Sequence, residues 1–99
     1  MKTYELEFHE AALKEWRKLD GSIQAQFKKR LAKRLLSPHV PSASLHGSLQ
    51  NAYKIKLRDA GYRFVYEVID QRLVVFVIAV GRRDHDAAYL AAAHRPRPA

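Results

Sequence analysis

Polar and apolar residues alternate at the start of the chain, in "TYELEFH". Tyr4, Leu6 and Phe8 fall on one side, Glu5 and Glu7 on the other. A period of two predicts a half-buried strand. From Glu10 the period lengthens. Leu13, Trp16 and Leu19 recur at helical spacing and predict a short helix to about Leu19. "DGS", Asp20 to Ser22, breaks it and offers Ser22 as the next N-cap. Ile23, Phe27, Leu31 and Leu35 then recur as the buried stripe of a longer helix, whose outer face carries Lys28, Lys29, Arg30, Lys33 and Arg34. Ser37-Pro38 ends it, because the residue before a proline avoids the α region. The short link between the helices predicts an antiparallel hairpin.

Residues 37–44 read as a loop, and 45–50 as irregular with a tight bend at Gly47. Three strand-like segments follow, roughly Tyr53 to Leu57, Tyr62 to Ile69 and Leu73 to Val80. The last is apolar on both faces, as a covered central strand would be. Asp70-Gln71 is a turn between two of them. "GRRDHD" leaves the sheet, "AAYLAAAH" can form a short C-terminal helix, and residues 90–99 are expected as a frayed tail. The order β-α-α-β-β-β, with an optional last helix, predicts a single α+β domain: a helical hairpin packed on one face of an antiparallel sheet.

The first hairpin of these strands can be put in register. With a four-residue loop at Arg58, Asp59, Ala60 and Gly61, Leu57 faces Tyr62, Lys56 faces Arg63, Ile55 faces Phe64 and Lys54 faces Val65. One sheet face then shows Tyr53, Ile55, Leu57, Tyr62, Phe64 and Tyr66, a core face. The other shows Lys54, Lys56 and Arg63. A slip of one residue would bury the charges. Lys56 directly across from Arg63 is a like-charge pair, which stability alone disfavours. Arg82 and Arg83 close the last strand. If that strand pairs with its predecessor, one of them reaches the hairpin, and Tyr89 can fold over the same patch.

Charge sharpens this picture. Lys and Arg number 18 against 10 Asp and Glu, a net charge of +8. Such a balance in one small domain points first to nucleic acid and second to an acidic protein. No cysteine is present, which excludes disulfides and thiolate metal sites and fits a reducing compartment. The start "MKTYELEFHE" carries acids where a signal peptide would be apolar. The longest apolar run, "LVVFVIAV", is far short of the ~20 residues of a membrane-spanning helix. A cytoplasmic protein without membrane contact is expected. His9, His39, His46, His85 and His94 share no H-x-x-x-H spacing, so no metal is expected.

"LKEWRKL" (Leu13 to Leu19), "YKIKLR" (Tyr53 to Arg58), "GYRFVYEVID" (Gly61 to Asp70) and "VVFVIAVGRRDHDAAY" (Val74 to Tyr89) resemble the RelE family of bacterial toxins. The likeness runs in order from Tyr4 to Tyr89. It implies a compact fold of the order above, cleavage of mRNA in the ribosomal A site without a cofactor, and neutralisation by a RelB-like antitoxin. By motif match, Lys54 and Lys56 resemble the family's active lysines. Arg63 resembles its phosphate-binding arginine, and Arg83 and Tyr89 its last arginine and tyrosine. His46 departs from the family's pattern, which has arginine before the glycine matching Gly47. His85 also stands where arginine is common, and the alanine-rich C-terminus departs from a more polar helix.

The chemistry these residues permit is attack of the RNA 2′-OH on the adjacent phosphorus. Lys54 or Lys56 would move a proton, Arg63 hold phosphate and Tyr89 offer a ring to a base, while the resemblance implies a place for Arg83 near the leaving oxygen. His46, Arg58, Arg82 and the helix cations Lys28, Lys29, Arg30, Lys33 and Arg34 are expected to contact mRNA or ribosomal RNA. Two alternatives are a ParE-like gyrase inhibitor and a non-catalytic nucleic-acid-binding module. Neither accounts for the five residues Lys54, Lys56, Arg63, Arg83 and Tyr89 together.

Overall fold

The computed structural model describes residues 3–96, except for the side chains of Ser48 and His85. Strand β1 (Glu5–Phe8) leads into helix α1 (Glu10–Arg17) and helix α2 (Gly21–Leu36). Strands β2 (Ala52–Leu57), β3 (Tyr62–Ile69) and β4 (Val74–Arg82) follow, and helix α3 (Ala87–His94) closes the chain. The α+β class and the element order are those expected. The sheet runs β1-β4-β3-β2. It is mixed rather than wholly antiparallel, because β1 pairs parallel with β4. The α1–α2 crossover returns the chain to the same sheet, and a crossover of that kind can deliver a parallel strand where a tight hairpin cannot.

The β2–β3 register is the predicted one, with Lys56 across from Arg63 and Lys54 across from Val65. Charge burial rules out the neighbouring register, and the loop closes accordingly, with Gly61 N–H donating to the Leu57 carbonyl at 2.8 Å. The α2 boundary differs from expectation. The helix starts at Gly21, Asp20 stands before it without a side-chain cap bond, and Ser22 lies inside the first turn rather than at the cap. At α1 the cap is His9, whose Nδ1 accepts the Ala11 N–H at 3.1 Å.

The two sheet faces are covered differently. On one, Phe27 and Leu31 of α2 and Ala12 of α1 bury against Ile55, Leu57, Phe64, Tyr66, Val75 and Val77. Trp16 stands edge-on to Phe64, with ring centroids 6.1 Å apart. Each such large apolar side chain contributes about 1.5–3 kcal/mol on full burial. On the other face, Ala88 and Ala92 of α3 bury against Val65, Phe76 and Ile78. Small residues let α3 lie close to the sheet. A Cβ on Gly81 would stand 3.7 Å from that of Ala88. Val74 to Val80 are all buried, as a central strand requires.

The expected frayed tail is corrected over most of its length. Residues up to His94 are helical. Arg95 donates to both carboxylate oxygens of Glu15, at 2.7 and 2.9 Å, and to the Ile78 carbonyl at 2.9 Å. Glu15 also accepts the Val80 N–H at 3.1 Å. The physical reason lies at the edge of β4. Strand β1 ends at Phe8 opposite Val77, and β4 continues to Arg82. Beyond Val77, Glu15 and Arg95 satisfy backbone groups that a strand would otherwise pair. Residues 97–99, the end of the predicted tail, lie outside the described residues.

Candidate nucleic-acid interface

Lys54 and Lys56 on β2 and Arg63 on β3 share the sheet face opposite α1 and α2. Arg63 is only 19% exposed. Two groups from the far end of the chain enclose it. The Tyr89 ring lies under its guanidinium, 4.8 Å from centroid to Cζ, and the Asp86 carboxylate accepts from its Nη1 at 2.6 Å. The like-charge opposition of Lys56 and Arg63 is thus offset by an acid more than twenty residues away. Sequence reasoning missed Asp86. The signal available was an acidic pair, Asp84 and Asp86, within an otherwise basic strand end.

Arg83 reaches the hairpin loop. Its N–H donates to the Gly61 carbonyl at 2.9 Å. Its side chain crosses directly over Gly61, with Nε 3.8 Å from where a Cβ would stand. Gly61 also has φ +72°, a conformation costly for other residues. Arg83, Lys56, Arg58 and Arg63 together line an open cleft of about 230 Å³. Arg82 turns the other way, so Arg83 is the one of the pair that reaches the hairpin. Alternation along β4 places Arg82 over the Tyr62 ring, 5.5 Å from Cζ to centroid, and it pairs with Asp84 at 3.4 Å.

Crowding of positive charge lowers the Lys56 pKa from the ordinary 10.5. Lys54 is the largest cause, then partial desolvation, then Arg63 and Arg58. Burial raises the Tyr89 pKa above the ordinary 10.0, with Arg63 acting in the opposite sense. The Tyr89 hydroxyl is buried without a hydrogen-bond partner among the described residues. One face of the Tyr89 ring is already taken by Arg63. A base reaching this side therefore meets the guanidinium first.

The helix cations divide. Arg30 lines a groove of about 420 Å³ shared with Lys54, Lys56 and Arg58. Lys29 and Lys33 line a second of about 370 Å³ beside it, again with Arg30. Lys28 is exposed and lines neither. Arg34 lines the first of these grooves as well, and it also acts as a clamp. Its Nη1 donates to the Lys54 carbonyl at 3.1 Å and to the Tyr66 hydroxyl at 2.9 Å, pinning α2 to β2. His46 is exposed before the 3₁₀ turn Gly47–Leu49. No hydrogen bond or ion pair joins it to the cation cluster among the described residues. His85 belongs to the 3₁₀ turn Asp84–Asp86, and its side chain lies outside the described set. Among the described residues, no three His, Asp or Glu side chains converge as a metal site requires.

Residues 6–87 match the family described as the ParE toxin of the type II toxin–antitoxin system parDE. The mRNA interferase toxin RelE of Escherichia coli strain K12 is 50% identical over 92 residues, covering 93% of this chain and 96% of that one. The chain belongs to the RelE family. Its fold agrees with solved RelE structures. An arginine-to-alanine double mutant of the E. coli RelE toxin in the free state superposes with a TM-score of 0.83 at 48% identity, covering 92% of this chain and 95% of the other. RelE in the intact E. coli RelBE toxin–antitoxin complex gives 0.78 at 51% identity, covering 83% and 99%. Within this RelE-family chain, Lys56, Arg63 and Arg83 share one cleft, Lys54 lies beside it in the groove it shares with Arg30 and Arg34, Tyr89 stacks on Arg63, and Arg82 stands apart.

Proposed function

We propose that this chain is a toxin endoribonuclease, an mRNA interferase that cuts messages in the ribosomal A site and is neutralised by a RelB-like antitoxin in the cytoplasm. The observation that carries the reading is the convergence of Lys56, Arg58, Arg63 and Arg83 on one cleft, with Lys54 beside it. Half-identity to a protein named mRNA interferase supports it.

The reaction forms a bond from the 2′-oxygen to phosphorus and breaks the bond to the 5′-oxygen. One proton leaves the 2′-OH and another joins the 5′-oxygen, giving a 2′,3′-cyclic phosphate and a 5′-OH. The rising charge on the non-bridging oxygens is met by Arg63 and Lys54. Arg63 stays charged throughout and can offer paired N–H groups to phosphate. A lowered pKa suits Lys56 to accepting the 2′-OH proton, since more of it is neutral at a given pH than of an ordinary lysine. Arg83, tied to Gly61, stands for the leaving oxygen. The set holds no histidine pair, so positioning must come from a partner. The ribosome supplies it, with the exposed α2 cations Lys28, Lys29, Arg30 and Lys33 against ribosomal RNA.

Incubation with programmed ribosomes, followed by mapping of message 5′ ends, tests the reading. Cuts within the A-site codon are expected. The ParE description of the family model favours a second reading, gyrase inhibition. Loss of DNA supercoiling activity with message left intact would establish that one instead.

Two further outcomes follow from the geometry. Lys56 should lose its proton at lower pH than an ordinary lysine, and Lys54→Ala should move it back toward 10.5, because Lys54 is the largest cause of its shift. Nitrogen-detected NMR of the lysine amines across pH checks both. An unshifted Lys56 would remove it as the preferred base. If position 46 only binds phosphate, His46→Arg should hold or raise cleavage. A drop of about tenfold or more would mark chemistry that needs histidine.

A further inference from the structure

We propose that Asp86 is a built-in competitor for phosphate. Its carboxylate occupies Arg63 in the free protein and has to be outcompeted when a phosphodiester enters the cleft. This rests on the reading of Arg63 as a phosphate-binding residue. A carboxylate and a phosphodiester are both singly charged anions presenting paired oxygens to a guanidinium, so they are rivals for the same donors. The Arg63 Nη1 to Asp86 Oδ1 distance is 2.6 Å. Asp86 is 65% exposed and Arg63 only 19%, which sets the carboxylate on the solvent side of the arginine, where an incoming anion arrives.

The local backbone shows that this contact is not a by-product of helix capping. Asp86 immediately precedes α3, where an aspartate ordinarily accepts from the first-turn N–H groups. Here it makes no such bond, and its backbone is left-handed at φ +53° and ψ +36°. Aspartate and asparagine adopt that conformation more readily than most other residues with a side chain. The carboxylate thus forgoes its usual capping use and points at Arg63 instead. Asp84, the other acid of the turn, is engaged with Arg82 on the opposite face.

The consequence is selectivity for context. Free RNA in solution has to displace a carboxylate held at high effective concentration. RNA fixed against the site by the ribosome competes on equal terms. Asp86 thus suppresses binding of stray RNA without blocking the positioned substrate.

Asp86→Asn tests this directly. Asparagine tolerates a left-handed backbone and keeps an oxygen able to accept from Arg63, so only the charge is lost. The probe is a single-stranded oligonucleotide with 2′-deoxy residues, which cannot be cut by internal attack. Binding is read by fluorescence anisotropy at low salt, and the thermal midpoint is recorded alongside. Asp86→Asn should bind about three- to tenfold tighter, as expected when one charge beside a phosphate contact is removed. Asp86→Gly, which also suits the backbone, should shift binding in the same direction. In an Arg63→Gln background the gain should vanish. Equal or weaker binding by Asp86→Asn, or a gain that survives Arg63→Gln, overturns the proposal. Loss of cleavage in Asp86→Asn without tighter binding would instead make Asp86 a proton acceptor. Cleavage on programmed ribosomes, run with the same proteins, separates the two claims. A wild-type protein that cuts nothing while Asp86→Asn still binds tighter through Arg63 overturns the nuclease reading alone.

Discussion

Arg83→Ala is expected to lower message cleavage on the ribosome by about 10²–10³, roughly 3–4 kcal/mol of transition-state stabilisation, while ribosome association is retained. Arg83 is held by its own backbone to Gly61, and its side chain projects over the hairpin loop into the cleft with Lys56 and Arg63. Its backbone is therefore placed before substrate arrives, and the exposed guanidinium brings a full positive charge to the cleft beside Lys56 and Arg63. The substitution leaves the backbone bond to Gly61 in place and removes only the guanidinium. The fold should survive, because no hydrogen bond or ion pair of the Arg83 side chain is found among the described residues. Single-turnover cleavage and ribosome co-sedimentation check the two halves separately. Parallel loss of binding and cleavage would recast Arg83 as a docking residue.

The second large effect is on stability. Glu15→Ala should destabilise the protein by about 2–4 kcal/mol, because it strands a buried N–H and leaves an arginine unpaired at once. Glu15 accepts the Val80 N–H and both arms of Arg95, and this arrangement joins α1, the uncovered edge of β4 and the end of α3. In a domain of this size the loss corresponds to a fall in melting midpoint of about 10–25 °C. Glu15→Gln keeps an acceptor for Val80 and should fall between the two. Thermal unfolding by circular dichroism measures all three, and a change below about 0.5 kcal/mol in Glu15→Ala would refute the role. The site should feel the loss as well. Tyr89 rides on α3, and α3 is tethered by Arg95.

The legible parts of the molecule were those fixed by periodicity. The β2–β3 register could be read because only one alignment keeps Lys54, Lys56 and Arg63 out of the core, and the central position of β4 because both its faces are apolar. The parallel β1–β4 pair was not legible, since strand direction depends on how the crossover returns rather than on any residue of "TYELEFH". The side chains that close the site escaped for a related reason. Asp86 on Arg63, Arg95 on Glu15 and Arg34 on Tyr66 are contacts between residues far apart in sequence. Each uses a charged residue that, taken alone, reads as solvated surface. Arg82 and Arg83 are adjacent and chemically alike, but Arg82 ends β4 opposite Tyr62, whereas Arg83 has already left the strand in a helical conformation and reaches the cleft.

If the cation cluster drives attack by the message's own 2′-OH, removing that one hydroxyl abolishes the cut. The measurement is cleavage, on programmed ribosomes, of a message carrying a single 2′-deoxy nucleotide at the mapped cut, beside the all-ribose message. The all-ribose message should be cut in the A-site codon, and the deoxy message should stay intact at that position. Equal cutting of both, or no cutting of either, would contradict the account.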